Sequence, residues 1–250
     1  MAERLRALVT RPAEDAAETA ARLAAMGVEP VVAPATRIVT LARPPLDLDG
    51  VQALLATSRN GVRALAGATE ARDIPLLAVG DATAALAREA GFRSVASAGG
   101  DACDLARLAA AMLDPGSGRL VHAAGEAAGD ALCRALADRG FAALPEALYR
   151  TVPVPLPDGV RALLAAGGIA LALFFSAGAA RAFAGLLGRD GSQAWCARIA
   201  AICLSARVAE AAAALPWRAV RRAARPDLAA LLDAVAAALE DRRQADGMGV

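Results

Sequence analysis

Very few residue types in this chain stand alone, and those are the natural starting points for chemistry. Tyr149 is the only tyrosine and His122 the only histidine. A phenol in the stretch ALYRTVPVP either donates a hydrogen bond into an expected interdomain cleft or anchors an extended crossing segment; the residues alone leave both open. His122 closes an apolar run, where a histidine is either packed and capped or faces a ligand. A Ser-His-Asp triad would have to be built around it, and no GxSxG elbow occurs. No phosphate loop of the GxxxxGK[ST] type and no GxGxxG is found. All 27 basic side chains are arginine, so lysine Schiff-base catalysis is excluded. Cys103, Cys133, Cys196 and Cys203 form no CxxC pair, which argues against a structural zinc. They read as buried free thiols of a reducing cytoplasm.

A second group of candidates lies in short polar turns after apolar runs. They are Thr10-Arg11-Pro12, Ser58-Arg59-Asn60-Gly61, Gly80-Asp81, Ala124-Gly125-Glu126, Ser176-Ala177-Gly178 and Ser205-Ala206-Arg207. Taken singly, each reads as a helix cap. Taken together at the carboxyl ends of parallel strands, their backbone N–H groups suit an anionic ligand such as a carboxylate or phosphate. Gly99-Gly100 is a weaker turn of the same kind.

The elements that must hold these turns alternate. Apolar runs at 6–9, 29–33, 51–57, 76–79, 95–97, 119–123, 142–145, 169–175, 199–204 and 219–222 predict strands, and most precede Ala/Leu-rich helical segments. Asp15–Met26 is the clearest helix, with Ala16, Thr19, Leu23 and Met26 on one face and Gly27 as its stop. Buried, non-alternating strands separated by helices predict parallel sheets covered on both faces. The 19 uncharged residues from Ala162 to Ala180 match the length of a membrane span, but Gly167-Gly168 divides them into a helix and a buried strand. The first residues lack the apolar core of a signal peptide.

There is also an internal repeat. Thr57–Leu65 parallels Phe175–Phe183, Ala78–Ala96 parallels Cys203–Arg221, and Asp104-Leu105 parallels Asp227-Leu228, at a nearly constant offset of about 120 positions. The expectation is two similar doubly wound, flavodoxin-like α/β domains. The first is discontinuous, residues 1–36 plus 153–250, with residues 1–36 completing the sheet of the later repeat. Residues 40–148 form the second, and 37–40 with 148–152 are linker strands running side by side. A net charge of +1 and 3% aromatic residues argue against nucleic acid or membrane partners.

These residues, in this order, resemble uroporphyrinogen-III synthases. The matching segments are LVTRPAEDA (8–16), GVEPVVAPATRI (27–38), ATSRNGVRAL (56–65) and LAVGDATAALAREAG (77–91). LYRT (148–151), LFFSAGAARAF (173–183) and the closing RPDLAALLDAV also match. The free thiols and the lack of a large unpaired apolar stripe predict a cytoplasmic monomer; the resemblance implies two α/β domains joined by paired strands and no cofactor or metal. It implies hydroxymethylbilane as substrate, cyclised with inversion of ring D and loss of water, and transient contact with hydroxymethylbilane synthase. Tyr149 is then the catalytic donor. Thr10, Arg11, Ser58, Asn60, Gly80, Thr83, Gly125, Ser176, Ala177, Ser205 and Arg207 are the substrate-binding set. One turn departs from the family. The first repeat keeps Gly80 and Thr83, whereas the second has Ser205, Arg207 and Val208, so that a threonine hydroxyl is replaced by Val208 or displaced onto Ser205. Arg207 then compensates by meeting a substrate carboxylate. The alternatives are a non-enzymatic two-lobed binder of a small organic acid or tetrapyrrole, or a flavodoxin-like nucleotide binder.

Overall fold

The computed structural model describes residues 5–247; residues 1–4 and 248–250 of the expected first domain lie outside the described residues. In chain order the strands are β1 (Arg6–Val9), β2 (Glu29–Val32), β3 (Thr36–Thr40), β4 (Val51–Ala56), β5 (Leu76–Ala78) and β6 (Val95–Ser97). They continue as β7 (Arg119–Gly125), β8 (Ala143–Pro153), β9 (Leu171–Phe174), β10 (Ala200–Cys203) and β11 (Ala219–Arg222). The helices are α1 (Ala13–Ala25), α2 (Arg59–Ala68), α3 (Asp81–Glu89), α4 (Ala102–Met112), α5 (Ala131–Ala137), α6 (Asp158–Ala165), α7 (Ala177–Arg189), α8 (Ala206–Ala212) and α9 (Leu228–Gly247). A 3-10 turn at Ser192–Arg198, which has no strong sequence signature, precedes β10.

The chain divides into two compact units, Met1–Arg37 with Val152–Val250, and Ile38–Thr151. In the first, the five-stranded sheet has the order β11-β10-β9-β1-β2, with every pairing parallel. The N-terminal β1 therefore lies between β9 and β2. In the second, the six-stranded sheet has the order β3-β8-β7-β4-β5-β6, parallel from β8 through β6. The repeat is visible in these orders. β4-β5-β6 corresponds to β9-β10-β11, and β1-α1-β2 takes the place beside β9 that β7-α5-β8 takes beside β4. β3 borders β8: Leu41 N–H donates to the Leu148 carbonyl and Val154 N–H to that of Ala35. Numbers rise on one strand as they fall on the other, so this edge pairing is antiparallel.

Side-chain alternation along each strand explains the helical cover. Leu8, Ala172, Phe174, Ala201 and Cys203 face a core completed by α6, α7 and α8. Their neighbours Ala7, Val9, Leu171, Leu173, Ala200 and Ile202 face α1 and α9. In the other unit Leu54, Ala56, Leu76, Ala78, Val121 and Ala123 meet α2 and α3, while Ala53, Leu55, Leu77 and Leu120 meet α4 and α5. Strands buried on both faces have no polar side to show, which is why they read as unbroken apolar runs. α1 buries Ala16, Thr19 and Leu23 fully or nearly so, and Gly27 follows it at φ 77°, the left-handed stop that favours glycine. The uncharged stretch 162–180 divides into the end of α6, β9 and the start of α7. Among the described residues, no helix is long and apolar enough to cross a membrane.

The thiols correct one expectation. All four cysteines are free, but only Cys196 and Cys203 are buried; Cys103 is exposed and Cys133 half-buried. Cys103 sits in the first turn of α4 behind the Asp101 cap, where the helix presents its outer face. Burial pushes the Cys196 and Cys203 thiols up to about 12, so both stay protonated and act as small apolar side chains.

Candidate functional site

Parallel strands carry their carboxyl ends to one edge of a sheet, and the polar turns gather there. In the six-stranded sheet the turns after β7, β4 and β5 are neighbours; they hold Gly125, Ser58 and Gly80. At a strand spacing of about 4.8 Å these three span on the order of 10 Å. In the five-stranded sheet the turns after β1, β9 and β10 are neighbours in the same way, and they hold Thr10, Ser176 and Ser205.

In the Ile38–Thr151 unit, Ser58 caps α2. Its hydroxyl oxygen accepts from the Gly61 N–H at 3.1 Å and lies 3.2 Å from the Tyr149 hydroxyl. Tyr149 stands on β8, opposite Gly125 of β7, where the register of the ladder shifts. The shift lets the ring lie across the end of β7. A Cβ added at Gly125 would fall 3.0 Å from Tyr149 Cε2 and 3.2 Å from Cζ, so the glycine is the floor of the ring's seat. The ring is half-buried, with its body against the α2 and α3 core. Gly61 is a second close approach, since a Cβ there would meet the Ala123 carbonyl at 2.9 Å. This brings the first turn of α2 down onto β7.

The other candidates of this unit fall around that pair. Asn60 accepts a hydrogen bond from Arg63 at 3.2 Å. Gly80 caps α3 without a side chain, and Thr83, three residues on, is buried at 6% exposure. His122 is 3% exposed; its Nε2 lies 3.1 Å from Thr57 Oγ1 and its Nδ1 has no partner among the described residues. Burial lowers its pKa, so the ring is neutral and packed, the first of its two readings.

In the other unit, Thr10 is fully buried. Its hydroxyl donates to the Leu173 carbonyl at 2.7 Å, which ties the end of β1 to β9 and spends the side chain on the sheet. Arg11 follows, with its guanidinium 4.3 Å from the centre of the Phe175 ring and Nη1 donating to Thr19 at 3.1 Å. Ser176 caps α7 by accepting from Ala179 N–H at 3.1 Å; Ala177, the first residue of that helix, is 8% exposed. Ser205 precedes α8 and makes no side-chain cap hydrogen bond, so its hydroxyl is not spent on the helix. Arg207 is exposed. Val208 is buried at 4% in the α6–α8 core, in the same helical position as the buried Thr83. A methyl there serves packing, and Ser205 keeps the only hydroxyl of that turn.

Among the described residues no cluster of three or more His, Cys, Asp or Glu side chains is grouped for a metal. Ser58 is legible in the sequence as a turn residue, but not as the neighbour of a phenol. Its contact with Tyr149 spans 91 positions, and no spacing rule reaches that far.

Residues 17–233 match the family model described as uroporphyrinogen-III synthase HemD. Comparison with curated proteins finds no match. Among solved structures, the chain is similar to a mutant uroporphyrinogen III synthase from the extremely thermophilic bacterium Thermus thermophilus, with a TM-score of 0.56 and 22% identity over 95% of this chain and 99% of that one. It is also similar to the uroporphyrinogen-III synthetase of Helicobacter pylori 26695, with a TM-score of 0.61 and 17% identity over 94% and 99% of the two chains. At those identities the likeness is one of fold.

Proposed function

We infer the reaction from one premise: this chain belongs to the uroporphyrinogen-III synthase family, whose model covers most of its length. It is an enzyme acting on a small tetrapyrrole. In the finer reading it is a hydro-lyase that cyclises hydroxymethylbilane to uroporphyrinogen III. The hydroxymethyl oxygen departs as water, taking one proton, and the carbon it leaves becomes a cation. The substituted carbon of ring D attacks that cation and gives a spiro intermediate. Rearrangement then inverts ring D, and closure of the macrocycle releases one proton.

The observation that carries this reading is the hydroxyl of the half-buried Tyr149, hydrogen-bonded at the cap of α2. A neutral phenol there donates to the departing oxygen as negative charge builds on it. Turn N–H groups at the starts of α2 and α3, in the same unit as Tyr149, receive acidic side chains of the bilane. The gain is conformational, because uncatalysed closure occurs at the unsubstituted carbon and only a held conformer presents the other one.

The test is direct. Purified protein given freshly generated hydroxymethylbilane yields the type III isomer. Type I isomer alone, at the spontaneous rate, sinks the reading.

A further inference from the structure

We propose that Ser58 is a positioning residue that acts through Tyr149, fixing the direction of their shared hydrogen bond so that the phenol's own proton points outward. The proposal rests on the reading of Tyr149 as donor to the departing oxygen.

The distance of 3.2 Å between the two hydroxyls is compatible with either donor, so direction has to come from the surroundings. Ser58 Oγ already accepts from the Gly61 N–H, and among the described residues its side chain makes no other hydrogen bond. If Tyr149 donated to it, both lone pairs of the serine oxygen would be taken, and the serine proton rather than the phenol's would be left for the ligand. If Ser58 donates, every group is used once: Gly61 N–H to Ser58 Oγ, Ser58 O–H to Tyr149 Oη, Tyr149 O–H to the ligand. Such a head-to-tail chain polarises along its length, each bond strengthening the next. It also starts at the N-terminus of α2, a helix of 10 residues, where the positive end of the helix dipole favours the oxygen end of the serine hydroxyl and turns its proton away. The ring itself is held against the missing side chain of Gly125, so the phenol oxygen cannot swing away to satisfy a different geometry. Ser58 therefore touches no reacting atom in this arrangement; it leaves Tyr149 with a proton to give.

Tyr149 is the only tyrosine, so the tyrosine Fermi doublet in the Raman spectrum reports this phenol alone. The proposal expects the intact protein to show a phenol oxygen that accepts a hydrogen bond, and expects Ser58→Ala to lose that signature while Ser58→Thr keeps it. In kinetics, Ser58→Ala lowers kcat about 3- to 10-fold, the worth of one neutral hydrogen bond, with KM unchanged. Ser58→Thr, which retains both the cap and the hydroxyl, restores kcat. In a Tyr149→Phe background Ser58→Ala has no further effect. A doublet of purely donating character in the intact protein, or one indifferent to Ser58→Ala, overturns the proposal. So does a Ser58→Ala loss of the same size with and without the tyrosine hydroxyl, which would mark Ser58 as a cap or a substrate contact only. The spectroscopic arm needs no substrate, so it still decides the contact if the isomer assay fails and the reaction itself is misread.

Discussion

At the scale of single residues, the role proposed for Tyr149 depends on its seat against Gly125. Tyr149→Phe is expected to lower kcat/KM about 10²-fold or less, the lower end of what general-acid help supplies, with circular dichroism unchanged. Gly125→Ala places a methyl against Cε2 and Cζ of the ring; it is expected to lower kcat toward the Tyr149→Phe value while the tyrosine is still present. His122 makes a prediction about pH instead. Its pKa is lowered in the folded protein by burial, while the unfolded chain titrates near the ordinary value of about 6.5. Below that value the unfolded state binds the additional proton, so stability falls as pH drops and is fully present above it. The urea midpoint should therefore decrease between about pH 7 and 5, and His122→Gln, which cannot titrate, should flatten that part of the curve. An unaltered slope in the variant would assign the pH effect to other groups. These residues were conspicuous in the sequence through their rarity. Their partners are not: nothing in the sequence joins Thr57 to His122, and Ser58 reads there as a cap with nothing to suggest the phenol beyond it. Type and local spacing fix a cap, whereas long-range register decides what a capped side chain touches.

At the scale of elements, packing between a strand and the helix above it sets the tolerances. Gly61 lets α2 descend onto the Ala123 carbonyl. Gly61→Ala is expected to destabilise by about 1–3 kcal/mol, the usual cost of overpacking, and because Gly61 N–H anchors Ser58 it should also lower kcat. Denaturant titration and turnover measured on the same variant check both. In the other unit, Phe174, Phe183 and Trp217 form a three-ring contact with centroids 5.5–5.9 Å apart, and Trp217 donates to the Ala212 carbonyl at 2.7 Å. Phe183 is fully buried, so Phe183→Ala should cost about 3–5 kcal/mol. The central strands were legible because runs buried on both faces, such as β4, β5, β9 and β10, are apolar without interruption. β8 is one continuous strand through Pro153, where the sequence suggests a run at 142–145 and a separate linker strand at 148–152; its mixed exposure hides the continuity. β3, with a similar half-exposed pattern, covers the linker expected at 37–40 and begins one residue earlier.

At the scale of the whole molecule, one unit is continuous in sequence and the other is not. Residues 38–151 contain every strand from β4 to β7 and most of β8, with two cores of their own. Expressed alone, this segment is expected to unfold cooperatively, as judged by circular dichroism and denaturant melting; a non-cooperative melt would contradict the two-core description. Deleting residues 5–37 is expected to be far more damaging to the other unit, because it removes a central strand and exposes a β9 edge that β1 otherwise covers. The same placement of β1 has a consequence for synthesis on the ribosome. β1, α1 and β2 emerge well before β9, which is separated from them by the entire contiguous unit. At a typical elongation rate of about 5–20 residues per second, the nascent N-terminal segment waits on the order of ten seconds for its partner strand. During that interval residues 38–151 are complete enough to fold. Made before its partner, β1 is thus locked in only once β9 arrives, and its apolar residues need a chaperone or their own solubility in the meantime.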